Sequence, residues 1–440
     1  MSTLIEAPLV AAFAEENELS QEAQLERKLQ QLPEIYYAGK SGYWLRQRDM
    51  FIPLPRETQV GQHLMACGVS KKNVTSLLCH IRTHRFIAHA GPVAGYPIGL
   101  HTAPESATPY LVTHPPRIIE SKMGDCTFIE TFLTELFGEQ KRVAIAHLRQ
   151  ARINLCKMQR RPLPALALVG PRNCGKSMFI EIGRRCLGGR AANAFSALCG
   201  ENFNADTLGA ELLMIDDEIA SKDYRARTAL AQGIKRNAFA GSVRFRPLYH
   251  EAINMRPIQM TIIAVNDETE HLQVLPIMDD SMKDKLTLLQ CSQATLGGIN
   301  DREEISRQVD RELPAFLHML DTSTHPADLQ DQRTGAKAWQ NPDVLARLHR
   351  ISPEQRFQEL LLQCSAVEDA IKTKGFWEGT AAELEQLLTA HYAPTAHAAR
   401  SLLSWGGACG TFLGRLEKSG ASDISNRLVH GIARWRIRRV

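Results

Sequence analysis

The sequence predicts an α/β fold built on a parallel sheet, and three stretches predict it. The first is Gly170-Pro171-Arg172-Asn173-Cys174-Gly175-Lys176-Ser177. It follows the apolar run Ala165-Leu166-Ala167-Leu168-Val169 and opens a helical pattern with Met178, Phe179, Ile180 and Ile182 that stops at Gly188-Gly189. Strand, glycine-bounded loop and helix are the context a phosphate-binding loop requires. The second is Leu212-Leu213-Met214-Ile215, ending in Asp216-Asp217-Glu218. The third is Met260-Thr261-Ile262-Ile263-Ala264-Val265, ending in Asn266-Asp267. Apolar runs that end in polar residues describe strands buried in a parallel sheet, with ligands at their C-terminal ends.

Composition bounds the rest. At 440 residues the chain should hold roughly two to four domains. Apolar content of 44% and charged content of 23% are those of a soluble globular protein. A net charge of +4 is compatible with nucleic acid and does not by itself argue for it. The ten cysteines include no C-x-x-C pair, so free thiols in a reducing cytoplasm are expected, not a disulfide framework or zinc ribbon. No apolar run is long enough to span a membrane. The apolar patch Pro8–Ala14 is flanked by acids and is not a secretory signal.

Residues 1–115 read as an N-terminal α+β region. Up to about Leu32 the chain is rich in Glu and Gln, with leucines spaced loosely for a helix. Ile35-Tyr36-Tyr37, Tyr43-Trp44-Leu45 and Met50-Phe51-Ile52 are short apolar runs between turn residues and read as a small antiparallel sheet. A helix over Lys71–His80 and short runs at Phe86–Ala88 and Tyr110–Val112 follow, with a loop rich in Gly and Pro over Gly91–Pro109. Cys79, His80, His84 and His89 lie close in sequence, but nothing completes a four-ligand metal set, so they read first as ordinary histidines. Residues 116–161 form a helical segment with apolar spacing at Phe128, Ile129, Phe132 and Leu136, then Val143, Leu148 and Leu155.

Residues 162–299 carry the chemistry. Gly170 and Gly175 permit a tight wrap, and backbone N–H groups with the helix dipole favour an anion there. Lys176 supplies a charge to the β- and γ-phosphates, and Ser177 places a hydroxyl on Mg²⁺. ATP and Mg²⁺ are the expected cofactors. Asp216 would hold the ion together with Ser177, and a second carboxylate would deprotonate the attacking water. Asp217 stands in the usual register for that role, with Glu218 as its competitor. Asn266 is placed to position the lytic water. Between the acidic strand and Asn266, alternation of Val243 and Phe245 with Arg244 and Arg246 predicts a hairpin with one basic face, either a solvated edge or a surface tracking a nucleic-acid backbone.

Residues 300–373 read as a helical connector, with a helix over Glu303–Leu313 broken or kinked at Pro314. Residues 374–440 read as a winged-helix-like domain. Thr380-Ala381-Ala382-Glu383 is a capping box. Helices over Ala396–Trp405, N-capped by Thr395, and over Thr411–Lys418 follow, then two strands joined at His430-Gly431. The third helix, with Arg415 and Lys418, would be the recognition helix, and Arg434, Arg436, Arg438 and Arg439 would give the wing a basic rim for phosphates. A small helical lid with a basic tail is the plainer alternative.

The four features of the central segment, in order and spacing, resemble the superfamily 3 helicases, a branch of the AAA+ ATPases. More narrowly, they are similar to the helicase part of poxvirus-type and mobile-element primase-helicases. The resemblance rests on Gly170–Ser177, Leu212–Glu218, Lys235–Tyr249 and Thr261–Asn266. It implies an AAA+ type phosphate-loop ATPase domain and a homo-oligomeric ring, often hexameric, that moves along one DNA strand. It also implies DNA contacts at Lys235, Arg244, Arg246, Tyr249 and His250. Such rings use an arginine donated across the subunit interface. The corresponding stretch Leu275–Lys285 contains no arginine, so Lys283, Lys285, Arg225 and Arg227 are the candidates.

The leading expectation is therefore an ATP-dependent DNA helicase or replication initiator of a phage, plasmid or other mobile element. The roughly 160 residues before the ATPase segment carry no paired-acid polymerase pattern, so priming is expected from a separate partner. A nucleotide-controlled switch or remodeller is the alternative, and a monomeric phosphate-loop enzyme a third class that Asn266 and the basic hairpin argue against.

Overall fold

In a computed structural model the chain is described over residues 34–102, 108–200, 204–216, 224–246, 252–299, 301–420 and 423–439. Near the N-terminus, β1 (Ile35–Tyr37), β2 (Tyr43–Gln47) and β3 (Met50–Leu54) form an antiparallel sheet. Helices Glu57–Ala66 and Lys71–His84 cover it, with Val60, Leu64, Leu77 and Ile81 packed on Ile35, Tyr43 and Leu45. A second small sheet has the order β4-β6-β5, from β4 (Ala90–Gly91), β5 (Gly99–Thr102) and β6 (Pro109–Val112).

The central sheet contains β7 (Ala165–Gly170), β8 (Ala191–Asn193), β9 (Leu212–Asp216), β12 (Met260–Asn266) and β13 (Leu286–Gln290). All its pairings are parallel, in the order β13-β7-β12-β9-β8. The three strands expected from the sequence occupy its middle; β8 and β13 are added at the two edges. Successive residues of a strand point to opposite faces, and the sheet uses this to divide its core. Leu166, Leu168, Ile262 and Ala264 face a layer with helices Thr127–Phe137, Lys141–Cys156, Lys176–Cys186 and Arg302–Thr322. Ala165, Ala167, Val169, Ile263 and Val265 face the other layer, with Leu230, Ile234, Val344 and Leu348 from helices Tyr224–Phe239 and Pro342–Arg350. The result is a three-layer α/β/α body.

Segments on both sides of residues 162–299 contribute to that body. Ile129, Phe132 and Leu148 lie in one cluster with Val309, Phe316 and Leu320. The Arg152 guanidinium, 3% exposed, grips the Asp321 carboxylate at 2.7 and 3.1 Å and so ties the helix before the phosphate loop to the one after the sheet. Helix Arg302–Thr322 does not break at Pro314. An internal proline costs about 3 kcal/mol, and burial of Leu313, Phe316, Leu317 and Leu320 offsets it. After β12 and β13, β14 (Gln330–Asp331) and β15 (Gly335–Ala336) make a short hairpin.

The hairpin expected between β9 and β12 is formed by β10 (Val243–Phe245) and β11 (Ile253–Met255), which pair antiparallel. Val243, Phe245, Ile253 and Met255 pack against Val93, Tyr110 and Val112 of the N-terminal region. A second tie between these parts is the buried Glu211 carboxylate. It accepts from the Gly95 amide at 2.9 Å and from the Arg190 guanidinium, whose Nη1 donates to the His114 carbonyl at 2.8 Å. At the hairpin base, Arg160 donates to four carbonyls, Pro257, Ala240, Gly241 and Asn237, at 2.6 to 3.2 Å.

The C-terminal unit has its own core, from Phe357 to Ile437. Helices Pro353–Leu362 and Ser365–Lys374 therefore belong to it, together with helices Ala381–Thr389, Ala396–Leu402 and Ala408–Ser419. Its sheet has the order β16-β18-β17, from β16 (Trp377–Gly379), β17 (Asp423–Val429) and β18 (Ile432–Arg439). Thr380 and Glu383 form the expected capping box. Thr395 does not cap the next helix; its hydroxyl donates to the Leu388 carbonyl at 2.9 Å.

Candidate nucleotide site and nucleic-acid surfaces

The ends of β7, β12 and β9 meet because the sheet order interposes β12 between the other two. Gly170 stands opposite Asn266 in the register, and Asp216 opposite Ala264. The loop after β7 needs its glycines for steric reasons. A Cβ on Gly170 would lie 2.6 Å from the Cys291 carbonyl oxygen. Gly175 has φ +118° and a Cβ there would also meet the Phe132 ring at 2.9 Å. Asn173, at φ 59°, supplies a left-handed turn that asparagine tolerates. Helix Lys176–Cys186 then starts directly at the loop, so its free N–H groups face whatever the loop wraps.

Lys176 is buried, and its ammonium donates to the Gly170 carbonyl at 2.9 Å, the Pro171 carbonyl at 2.8 Å and Asn266 Oδ1 at 3.1 Å. The Ser177 hydroxyl donates to Asp216 Oδ2 at 3.1 Å. Residues assigned to one site from stretches some 90 positions apart are thus in direct contact. Hydroxyl and carboxylate oxygens side by side are the hard donor set of Mg²⁺, which completes its shell with water and phosphate. That donor set fits the ion, with Ser177 and Asp216 as the residues that would hold it. Arg172 and Asn173 are exposed on the loop, and Pro171 is half-buried.

A strap after β13 holds the loop from outside, and no motif marks it in the sequence. Cys291 N–H donates to the Val169 carbonyl, Ala294 N–H to the Cys174 carbonyl at 3.1 Å, and Gln293 Nε2 to the Asn173 carbonyl at 3.1 Å. Glu135 anchors the strap by accepting from the Thr295 amide and hydroxyl, both at 2.8 Å. Those bonds hold the Glu135 carboxyl below its ordinary range. Within this frame Cys291 and Cys174 pack on the same glycine, Gly170. The neighbouring Cys291, with help from the Lys176 charge, brings the Cys174 thiol down to about 6 against the opposing effect of burial. Burial, first, and the neighbouring Cys174 push Cys291 well up. A second residue the sequence did not mark is Arg347. From helix Pro342–Arg350 it donates to Gln290 Oε1 at 3.0 Å and to the Asp267 carbonyl at 3.5 Å, at the ends of β13 and β12.

The arginine-finger candidates fare differently. Arg227 is 5% exposed and donates to the Leu275 carbonyl at 2.9 Å, so its guanidinium is committed inside the chain. Lys283 pairs with Asp280 at 2.7 Å and Lys285 with Asp284 at 2.5 Å, before β13 and so at the opposite end of the sheet from the phosphate loop. Asp217, Glu218, Tyr249 and His250, and the side chains of Arg225 and Arg439, lie outside the described residues.

Of the hairpin candidates, Arg244 and Arg246 are exposed while Val243 and Phe245 are buried. Asn204 fixes their backbone, donating to the Arg244 carbonyl at 3.1 Å and accepting from Arg246 N–H at 2.8 Å. Lys235 lies apart from them; its ammonium donates to Ser281 at 2.6 Å. On the C-terminal sheet, Arg434 and Arg436 alternate with buried Trp435 and Ile437, and Arg438 is exposed. Glu378 gathers Arg436 and Arg427 at 2.7 Å, whose hydrogen bonds lower its carboxyl, with Arg434 at 4.0 Å, and this face is left net positive. Arg415 turns to Glu354 at 2.6 Å, whereas Lys418 is exposed. Among the described residues no group of three or more His, Cys, Asp or Glu could hold a metal; His80 and His84 stack on each other at 4.2 Å. No helix among the described residues is long and apolar enough to cross a membrane.

Comparison with known proteins adds the fold. Residues 168–282 match the model of a family of unknown function (DUF5906). No curated protein matches the chain. The apo structure of the NrS-1 C-terminal region (305–718) superposes with a TM-score of 0.54 at 11% identity, over 96% of this chain and 100% of that one. The A form apo structure of the same region gives 0.53 at 11% identity, over 94% and 98%. SCCmec type IV Cch, described as an active helicase, gives a TM-score of 0.27 at 10% identity over 88% and 72%, a likeness on which nothing is built. The chain therefore shares the fold of the NrS-1 region along nearly its whole length.

Proposed function

We propose that this chain is an ATP-hydrolysing DNA helicase of the AAA+ superfamily 3 type, acting in replication of a mobile element. The observation that carries the reading is the contact of Lys176 with Asn266 beside that of Ser177 with Asp216, at the ends of adjacent strands. In this reading the loop amides and Lys176 hold the phosphates. Lys176 exchanges its carbonyl partners for phosphate oxygens, and Asn266, buried and already bonded to Lys176, orients the attacking water. Asp217 or Glu218 takes the proton from that water. Ser177 and Asp216 would hold Mg²⁺, which would supply neutralisation of the charge building on the phosphates. Arg347, at the ends of β12 and β13, is a cation for the γ-phosphate from within the same chain. Arg244 and Arg246 meet the backbone of single-stranded DNA, and the C-terminal unit, read as a winged helix, meets duplex DNA through Arg427, Arg434, Arg436 and Arg438.

Lys176→Ala should abolish ATP hydrolysis in a phosphate-release assay, and wild-type turnover in that variant would sink the assignment. Imaging the protein with a non-hydrolysable ATP analogue and forked DNA tests the ring: closed hexamers threaded on one strand are expected. A second reading, a nucleotide-controlled switch without unwinding, is favoured by the internal commitments of Arg227, Lys283 and Lys285. It predicts nucleotide-dependent assembly with no strand separation on the same fork.

A further inference from the structure

We infer that Cys174 and Cys291 form a peroxide-responsive dithiol whose disulfide closes the phosphate loop to nucleotide. The inference rests on the nucleotide-site reading above. Its basis is placement. The two residues come from the loop after β7 and the strap after β13, more than a hundred positions apart, and each is 1% exposed. Each thiol lies in the electrostatic surroundings of the other. Both also crowd the same glycine: a Cβ on Gly170 would stand 2.7 Å from Cys291 Cβ and 3.2 Å from Cys174 Sγ. The backbone holds them in register through the bonds from Cys291 N–H to the Val169 carbonyl and from Ala294 N–H to the Cys174 carbonyl.

The chemistry is assigned by the surroundings. Thiolate is the reactive form of cysteine, and a neighbouring cation promotes it. The Lys176 ammonium donates to Cys174 Sγ at 3.9 Å. The Cys174 thiol, brought down to about 6, is the attacking group, and Cys291, held protonated by burial, is the resolving one. The Cys174 sulfur attacks one oxygen of hydrogen peroxide, the O–O bond breaks, and one water leaves, giving a sulfenic acid. The Cys291 sulfur then attacks that sulfur, the S–O bond breaks, and a second water carries off the thiol proton. Two thiols and one peroxide yield one disulfide and two waters. The new bond draws the Cys174 sulfur to about 2.05 Å from the Cys291 sulfur. That movement sits in the loop whose amides must fit the phosphates, where a misplacement of about 1 Å costs on the order of a hundredfold.

The test uses the full chain. It is treated with hydrogen peroxide, alkylated, digested and mapped by mass spectrometry, in parallel with binding of a fluorescent ATP analogue before oxidation, after it, and after dithiothreitol. The expected result is a Cys174–Cys291 linked peptide, at least a tenfold loss of analogue binding, and recovery of binding on reduction. In Cys291→Ser, dimedone should trap the sulfenic acid on Cys174; if that variant does not fold, the wild-type map decides alone. Absence of the linked peptide, or a linked protein that binds the analogue as well as the reduced one, overturns the inference. Failure of the reduced protein to bind the analogue overturns the nucleotide reading instead, and the peptide map still tests the dithiol.

Discussion

Four side chains, Lys176, Ser177, Asp216 and Asn266, could be assigned to one candidate site from sequence because phosphate and metal chemistry would ask for their types after a strand, and the structure brings them into contact in pairs. Their mutual contacts follow from strand order. Asn266 reaches Lys176 only because β12 lies next to β7. Asn266→Ala should lower ATP turnover on the order of a hundredfold, as loss of a preorganised polar group does, while nucleotide affinity changes little. Parallel binding and phosphate-release measurements check this, and an equal loss of affinity would make Asn266 a binding residue. Arg347 and Cys291 were not legible. Arg347 reaches the ends of β12 and β13, and Cys291 the loop after β7, each from a distant segment, and nothing in its own neighbourhood distinguishes it from any surface arginine or buried thiol. Arg227 shows the converse: its position after the acidic strand suggested an interface, yet it is buried and its Nε donates to the Leu275 carbonyl within the same chain.

At the scale of elements, the central strands were legible because they are apolar on both faces and end in polar residues. The edge strands β8 and β13 were not. Ala191-Ala192-Asn193 is too short to carry a pattern, and Leu286–Gln290 follows a charged stretch that masks its start. The hairpin was legible from its alternation, and its apolar face finds a partner the pattern could not name, the second N-terminal sheet. Among its described strand residues the opposite face, with Arg244 and Asn254, is exposed, as is Arg246 beside it. Arg244→Ala with Arg246→Ala should therefore weaken single-stranded DNA binding and reduce the slope of log K against log salt by about 1.4, the effect of two lost phosphate contacts. ATP binding should survive. Titrations at several salt concentrations read both quantities, and an unchanged slope would leave the hairpin as a packing element. The C-terminal helices and hairpin were also visible in the pattern, whereas β16, only three residues long, was not.

For the molecule as a whole, the sequence suggested boundaries that packing does not respect. Helices on either side of residues 162–299 share the core of that segment because their apolar faces meet only after folding, and the Arg152–Asp321 pair joins them. Inside that shared core, His147 is wholly buried. The Val143 carbonyl can only accept, so Nδ1 carries the proton and donates to it at 3.0 Å, while Nε2 accepts from the Thr287 hydroxyl at 3.0 Å. Burial brings its pKa down to about 4. An unfolded histidine titrates near 6.5, so the unfolded chain binds this proton first as pH falls. The contribution is complete above pH 6.5 and is lost on the way to pH 4, by about 2 kcal/mol at pH 5. Urea unfolding at pH 7 and pH 5 should show that loss in the wild type and a smaller one in His147→Gln; equal losses would place the pH sensitivity elsewhere.

Arg160 lies in the short run that leads from helix Lys141–Cys156 into β7, the strand that ends in the phosphate loop. Its hold on the carbonyls of Asn237, Ala240, Gly241 and Pro257 makes it a mechanical coupling. In the proposed function, a pull by DNA on β10 would pass through this one guanidinium to the root of β7, and so to the loop at the other end of that strand.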